Sequence, residues 1–259
     1  MFPEFRSCRL WDAKFDPPGR TKLAHAGSER YRTETVLMAS QFFSPLRLAL
    51  VGMSGAGKTF WAKRLAEHGH ASFSCDDGIE QRLRSRLLAG GHAGINGVAT
   101  WMGWPDTATY LEREAEYLAQ EIAVLDEVLA QLEKDRAREL VLDTTGSVIY
   151  TGTNLLWRLR RLVTVVYLAT SAQEQQLLID RYLTNPKPVL WRGAFQPRAG
   201  ESARETVARC YPILIAARRR SYQALAHCSV PVADLRNASL DADGFLARIR
   251  AALEPSEHK

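Results

Sequence analysis

From Leu46 onward, short apolar runs alternate with stretches whose apolar residues recur every three or four positions. Leu46-Arg47-Leu48-Ala49-Leu50-Val51 runs into Gly52, the form of a strand buried on both faces of a parallel sheet. A helix is expected from 58 to about 68. A second strand is predicted over 71–75, ending on Asp76-Asp77, and a short helix over 79–88 that stops at Gly90-Gly91. The glycine-rich stretch 91–103 reads as a loop. Pro105-Asp106-Thr107 opens the longest helical pattern, in which Leu111, Ala115, Leu118, Ile122, Leu125, Val128 and Leu132 form one stripe for burial. Strands are predicted over 139–143, 162–168 and 229–232. Ser171 with Glu174, and Ser202 with Glu205, have capping-box spacing, so each pair starts a helix. An amphipathic helix over 243–253 follows the last strand.

This alternation predicts an α/β fold with a five-stranded parallel sheet, helices on both faces and ligands beyond the carboxyl ends of the strands. Residues 1–44 show neither period and contain Pro17-Pro18-Gly19 and Gly27-Ser28, so a flexible N-terminal extension is expected ahead of one domain over 45–259. Met38, close to the first strand, is an alternative start. The 259 residues, 46% apolar and 24% charged, suit one soluble domain, expected to be monomeric. No run approaches the ~20 apolar residues of a membrane span. The net charge of +5, from 34 Lys plus Arg against 29 Asp plus Glu, suits an anionic ligand but lacks the clustering of a nucleic-acid surface. Cys8, Cys75, Cys210 and Cys228 are far apart, which predicts reduced thiols in the cytoplasm and no cysteine metal site.

Gly52-Met53-Ser54-Gly55-Ala56-Gly57-Lys58-Thr59 matches G-x-x-x-x-G-K-[ST] between a predicted strand and a predicted helix. Its glycines let backbone N–H groups turn inward toward phosphate oxygens at a helix N-terminus. Lys58 is expected to reach the β and γ phosphates of ATP, and the Thr59 hydroxyl to coordinate Mg²⁺.

The other strand ends supply candidates around this loop. Asp76 and Asp77 follow the second strand, where a carboxylate could align an acceptor hydroxyl, take its proton or bind magnesium, and where one of the pair could instead cap the next helix. Asp143 ends an apolar strand in the manner of a Walker B acid, so Thr59 with Asp143 or Asp76 forms the candidate metal set. Thr145 and Gly146, in the turn after it, are substrate-side candidates. Residues 184–201 read as a cationic, proline-stiffened lid, with Lys187, Arg192 and Arg198 to supply charge on closure. Arg218, Arg219 and Arg220 share one helix and point in different directions, so one of them can face the site. Trp101 and Trp104 either wall a pocket or anchor a loop.

The strand, Gly-Met-Ser-Gly-Ala-Gly-Lys-Thr, and Phe73-Ser74-Cys75-Asp76-Asp77-Gly78-Ile79-Glu80 together resemble the start of shikimate kinases, more weakly from about residue 46 to 232. The resemblance implies that Asp76 contacts the acceptor hydroxyl and that Lys187-Pro188-Val189-Leu190 stands where the family has a lid Arg-Pro-Leu-Leu run. It also implies that Arg218, ahead of Tyr222, binds a substrate carboxylate, and that Arg181 lies near the position that stacks on adenine. Three features depart from the family. Asp143-Thr144-Thr145-Gly146-Ser147 replaces its Gly-Gly-Gly, the second substrate arginine has only Arg113 as a displaced match, and 91–105 has no counterpart.

The resulting expectation is a P-loop kinase moving the γ-phosphoryl group of ATP to a hydroxyl of a small, anionic metabolite, with shikimate itself left open. The alternatives are an ATPase or regulatory switch without an acceptor pocket, and a kinase acting on a nucleic-acid or protein hydroxyl.

Overall fold

A computed structural model describes residues 45–184 and 188–254. The N-terminal extension, Cys8 and Lys187 lie outside the described residues. Five parallel strands, β1 (Arg47–Val51), β2 (Ser72–Ser74), β3 (Leu140–Asp143), β4 (Thr164–Ala169) and β5 (Cys228–Pro231), form one sheet in the order β2-β3-β1-β4-β5. β1 is therefore central. The order reverses about it, which opens a crevice at the carboxyl end of β1 between the crossovers that leave in opposite directions.

Alternation along each strand divides the core into two layers. Leu48, Leu50, Val141, Val166 and Leu168 point to one face and pack under α1 (Lys58–Glu67) and α8 (Ala242–Leu253). There Trp61 and Phe245 stack with ring centroids 4.3 Å apart, tying the helix after the phosphate loop to the last helix. Ala49, Val51, Leu142, Val165 and Tyr167 point to the other face. That face carries α2 (Cys75–Ala89), α3 (Gly94–Met102), α4 (Tyr110–Lys134), α5 (Thr153–Leu162), α6 (Ala172–Thr184) and α7 (Ala203–Leu225).

The α/β architecture, the five strands and both capping boxes match the expectations. Ser171 N–H donates to Glu174 at 2.7 Å, and Ser202 N–H donates to Glu205 at 2.8 Å. Several elements differ. The expected loop over 91–103 contains α3, because Val98, Trp101 and Met102 recur at helical spacing and are buried, while Glu80 fixes its start by accepting the Gly94 N–H at 2.7 Å. α2 begins at Cys75, immediately after β2, with Ser74 accepting the Asp77 N–H at 3.1 Å as its cap. α5 had no predicted counterpart, since only Leu155 and Leu159 of its ten residues are buried. α4 starts at Tyr110, and its buried face keeps Leu118, Leu125, Val128 and Leu132 of the expected stripe but not its first turn. Leu111 is 71% exposed, whereas Tyr110, Glu114, Tyr117 and Glu121 face inward.

Candidate active site

The loop after β1 is shaped by backbone that side chains resist. Gly52 has φ 145°, and a Cβ there would lie 3.0 Å from the Leu168 carbonyl oxygen, so a larger residue would push the loop off β4. Gly57, at φ 97°, turns the chain into α1, whose first turn holds no acid and whose N-terminus has no side-chain cap. That leaves N–H groups and the positive end of the helix dipole directed at the crevice. Lys58 is buried and its Nζ donates to the carbonyls of Gly52 and Met53 at 3.0 and 3.1 Å. Burial pulls its ammonium below the usual lysine range, against the opposing pull of Asp143 and Asp76.

Asp143 closes β3 beside this loop. It is buried, its carboxylate is hydrogen-bonded by Thr59, and its Oδ1 has no partner among the described residues. Burial raises its pKa, while Lys58 and the Thr59 hydroxyl lower it. A buried carboxylate oxygen left without a donor is costly. The hydroxyl and carboxylate are hard oxygen donors suited to Mg²⁺, which keeps most of its coordination for water and phosphate. Thr59 and Asp143 therefore fit the expected magnesium site.

Asp76 sits in the first turn of α2, where Ser74 performs the capping and leaves the Asp76 carboxylate available. Its Oδ1 accepts from the Tyr117 hydroxyl at 3.3 Å. Burial pushes its pKa up to about 6, with Asp143 adding to the rise and Lys58 and Tyr117 resisting it. Asp76, Asp143, Lys58 and Thr59 thus meet at one edge of the sheet. Asp77 is exposed on the same turn.

One turn further along α4, Glu121 is buried and accepts from both Thr145 and Ser147 hydroxyls, the latter at 2.7 Å. Burial lifts this acid to about 7, and the two hydroxyls pull it down. The turn after β3 is held from the opposite side as well. Arg218 Nη1 donates to Gly146 O at 3.2 Å, and the Tyr222 hydroxyl donates to the same oxygen. Thr145 and Gly146, expected to touch substrate, are thus occupied within the protein. They place the turn against the phosphate loop, where a Cβ on Gly146 would be 3.5 Å from Ser54 N.

Arg218 is also drawn inward. It is 3% exposed, its Nε donates to the Tyr150 hydroxyl at 3.3 Å and its Nη2 donates to Leu190 O at 2.6 Å. It joins β3, α7 and the segment after α6 rather than presenting an open fork. That segment corrects the expected lid. Val189, Leu190 and Trp191 are buried because their apolar side chains enter the core. The Tyr110 hydroxyl lies 2.7 Å from Val189 O and accepts the Trp191 N–H at 3.0 Å. Arg192 is the one described non-glycine with left-handed backbone, φ 49°, and its N–H donates to Glu114 at 2.9 Å. Its guanidinium lies 3.9 Å from the same carboxylate, so this expected catalytic cation is paired with α4. Trp101 is buried in α3, where Arg113 bonds its carbonyl, and Trp104 packs on Tyr182 with centroids 5.8 Å apart. Both tryptophans anchor structure.

On the β5 side of the phosphate loop, Gly55, Gly57, Phe60, Arg64, Arg236 and Asn237 help to line a cavity of about 410 Å³. Arg181 stands beside it, its guanidinium 4.0 Å from a Cβ placed on Gly55. Arg236 is held 2.9 Å from Glu174.

The residues missing from the sequence reading are Tyr117, Glu121, Glu114 and Tyr110. Their signal was present in the 4-3-4 spacing, which puts two tyrosines and two glutamates on one helical face, but an apolar stripe one step round the helix masked it.

No protein-family model matches the chain, and no curated protein matches its sequence. Solved structures do match. A shikimate kinase from Acinetobacter baumannii in complex with shikimate shares 24% identity over 82% of this chain and 97% of that one, with a TM-score of 0.50. The chain has the shikimate kinase fold. A shikimate kinase from Bacteroides thetaiotaomicron shares 20% identity over 81% and 98% of the two chains, at a TM-score of 0.49. One from Aquifex aeolicus shares 14% over 80% and 96%, at 0.45. No helix among the described residues is long and apolar enough to cross a membrane.

Proposed function

We propose that this protein is a cytoplasmic ATP-dependent phosphotransferase that moves the γ-phosphoryl group to a hydroxyl of a small molecule. The observation that carries this reading is the placement of Asp76 at the same sheet edge as the phosphate loop, within the electrostatic reach of Lys58 and held by Tyr117. A nucleotide-binding loop alone would serve a switch equally well. A half-buried carboxylate poised beside the γ-phosphate position adds a means of accepting a hydroxyl proton.

In this account the base lies in the cavity between α1 and the segment after β5, with Arg181 beside it, and the phosphates follow the loop toward β3. Lys58 leaves the Gly52 and Met53 carbonyls for phosphate oxygens, which restores a full charge partner to a buried ammonium. Thr59 and Asp143 would hold magnesium, which would supply positive charge to the phosphate oxygens. Asp76 aligns the acceptor hydroxyl and receives its proton as the oxygen bonds to the γ-phosphorus. The bond from that phosphorus to the bridging oxygen breaks, and ADP leaves with the electron pair. Positioning and fixed charge carry most of such a transfer.

The test is phosphorus NMR of Mg-ATP with candidate acceptors. A new phosphate-ester resonance that grows with ADP, and is absent with Asp76→Asn, supports the reading. Release of inorganic phosphate as the sole product, at the same rate with and without acceptors, contradicts it.

A further inference from the structure

Glu121 is a buried acid that the transfer described above does not use. It is 2% exposed, and both of its carboxylate oxygens are occupied, one by the Thr145 hydroxyl and the other by the Ser147 hydroxyl at 2.7 Å. Burying a carboxylate is costly, and a leucine or methionine fills such a position without that cost. Packing alone therefore does not account for an acid here. What Glu121 holds is the turn after β3, at both Thr145 and Ser147, and the Ser147 N–H closes that turn by donating to Thr145 Oγ1 at 3.1 Å.

That turn stands between the two halves of the reaction. Ser74 of β2 and Leu50 of β1 both pair with Asp143, so the chain leaving β3 has Cys75-Asp76 on one side and the phosphate loop on the other. On the β2 side, Tyr117, one turn before Glu121 on α4, bonds Asp76. On the β1 side, Thr144 Oγ1 donates to Leu50 O at 2.7 Å, and a Cβ on Gly146 would lie 3.5 Å from Ser54 N and 3.8 Å from Gly52 O. α7 grips the turn through Gly146 O, which accepts from Arg218 and Tyr222. Glu121 supplies the opposing hold from α4. Without it, Thr145 and Ser147 lose their common acceptor and the bonds from α7 alone orient Gly146.

We propose that Glu121 is a positioning residue for the transfer: through Thr145 and Ser147 it fixes the turn after β3 against the phosphate loop, and so sets where the acceptor hydroxyl stands relative to the γ-phosphoryl group. This rests on the kinase reading above. The carboxylate acts through the two hydroxyls, not on the reacting atoms. An offset of about 1 Å between reacting groups costs on the order of a hundredfold in rate, and a misplaced acceptor leaves the γ-phosphoryl group open to water.

The test measures the phosphate ester and the inorganic phosphate formed from Mg-ATP with hydroxy acids, polyols and amino sugars as acceptors, and ATP affinity in parallel. The proteins are the wild type, Glu121→Ala, Glu121→Gln and Ser147→Ala. Glu121→Ala should lower ester formation at saturating acceptor by at least about tenfold, raise the share of turnover released as inorganic phosphate, and leave ATP affinity unchanged. Glu121→Gln, which offers one oxygen and one amide to the same two hydroxyls, should restore most of the transfer. Ser147→Ala should shift the partition in the same direction by less, and it decides alone if Glu121→Ala does not fold. A purely structural role would lower both products together and leave their ratio at the wild-type value, or would act wholly through lost ATP affinity. Either result in the deciding variant overturns the inference. Glu121→Gln as impaired as Glu121→Ala also overturns it, since charge and not position would then be at work. These results leave the kinase reading standing, whereas a wild type that binds ATP and forms no ester with any acceptor overturns both.

Discussion

The Tyr117 hydroxyl and Asp76 Oδ1, 3.3 Å apart, join α4 to the first turn of α2 at the mouth of the phosphate loop. The bond favours the ionised acid, while burial opposes it and lifts Asp76 to about 6. A base must be unprotonated to accept the hydroxyl proton, so acceptor-dependent kcat/KM should fall as pH drops through about 6. Tyr117→Phe removes a stabilising donor and should move this acid limb to higher pH. A pH profile of both proteins checks the direction of the shift.

The same burial sets a stability cost. Because Asp76 holds its proton more tightly in the folded chain (about 6) than in the unfolded chain (about 4), stability contributed by this group is lost as pH rises through that window. Asp76→Asn should therefore raise Tm at pH 8 by a few degrees, equivalent to about 1 kcal/mol after discounting for partial exposure. The gain should vanish near pH 4, while phosphoryl transfer is lost. Calorimetry at the two pH values decides it.

The orphaned Oδ1 of Asp143 gives magnesium dependence a specific prediction. Asp143→Asn keeps the shape of the site but removes the charge, so the Mg²⁺ concentration for half-maximal turnover should rise by at least about tenfold. Titration with MgCl₂ at fixed ATP measures it. Protein stability should change little or increase, since a buried carboxylate is replaced by a neutral amide.

Trp191 anchors the segment after α6 from within an aromatic cluster, its Nε1 donating to the Tyr182 hydroxyl at 3.2 Å and its ring 5.5 Å from that of Tyr211. Trp191→Ala should cost about 3–5 kcal/mol and lower Tm by roughly 10 °C, measured by thermal unfolding. A lid moving freely over solvent would lose almost nothing.

The parts of this molecule legible in its sequence are those governed by local rules. The phosphate loop, Asp76 and Asp143 follow from short motifs at strand ends, and the capping boxes follow from spacing within one turn. What escaped was decided by tertiary packing. α5 buries only Leu155 and Leu159, too little periodicity to register. α3 forms despite Gly94 and Gly97 because Trp101 and Met102 find the core. On α4, Leu111 and Ile122 scored as interior by their chemistry, yet the buried positions belong to Tyr117 and Glu121, whose polar ends find partners on α2 and in the turn after β3. Arg218 likewise became a strut once Gly146 and Leu190 offered carbonyls within its reach. No local pattern announces such partners.

On the proposed reading, the phosphate loop and Asp76 act together on an acceptor hydroxyl. Its most direct test is the rate of ADP formation from Mg-ATP with and without a panel of small hydroxyl-bearing acceptors (hydroxy acids, polyols and amino sugars), for the wild type, Lys58→Ala and Asp76→Asn. The account predicts that at least one acceptor stimulates the wild type, that Lys58→Ala lowers the rate by about a hundredfold or more, and that Asp76→Asn still binds ATP but no longer responds to the acceptor. An Asp76→Asn protein that responds to the acceptor as the wild type does, or a wild type whose rate no acceptor changes, would contradict it.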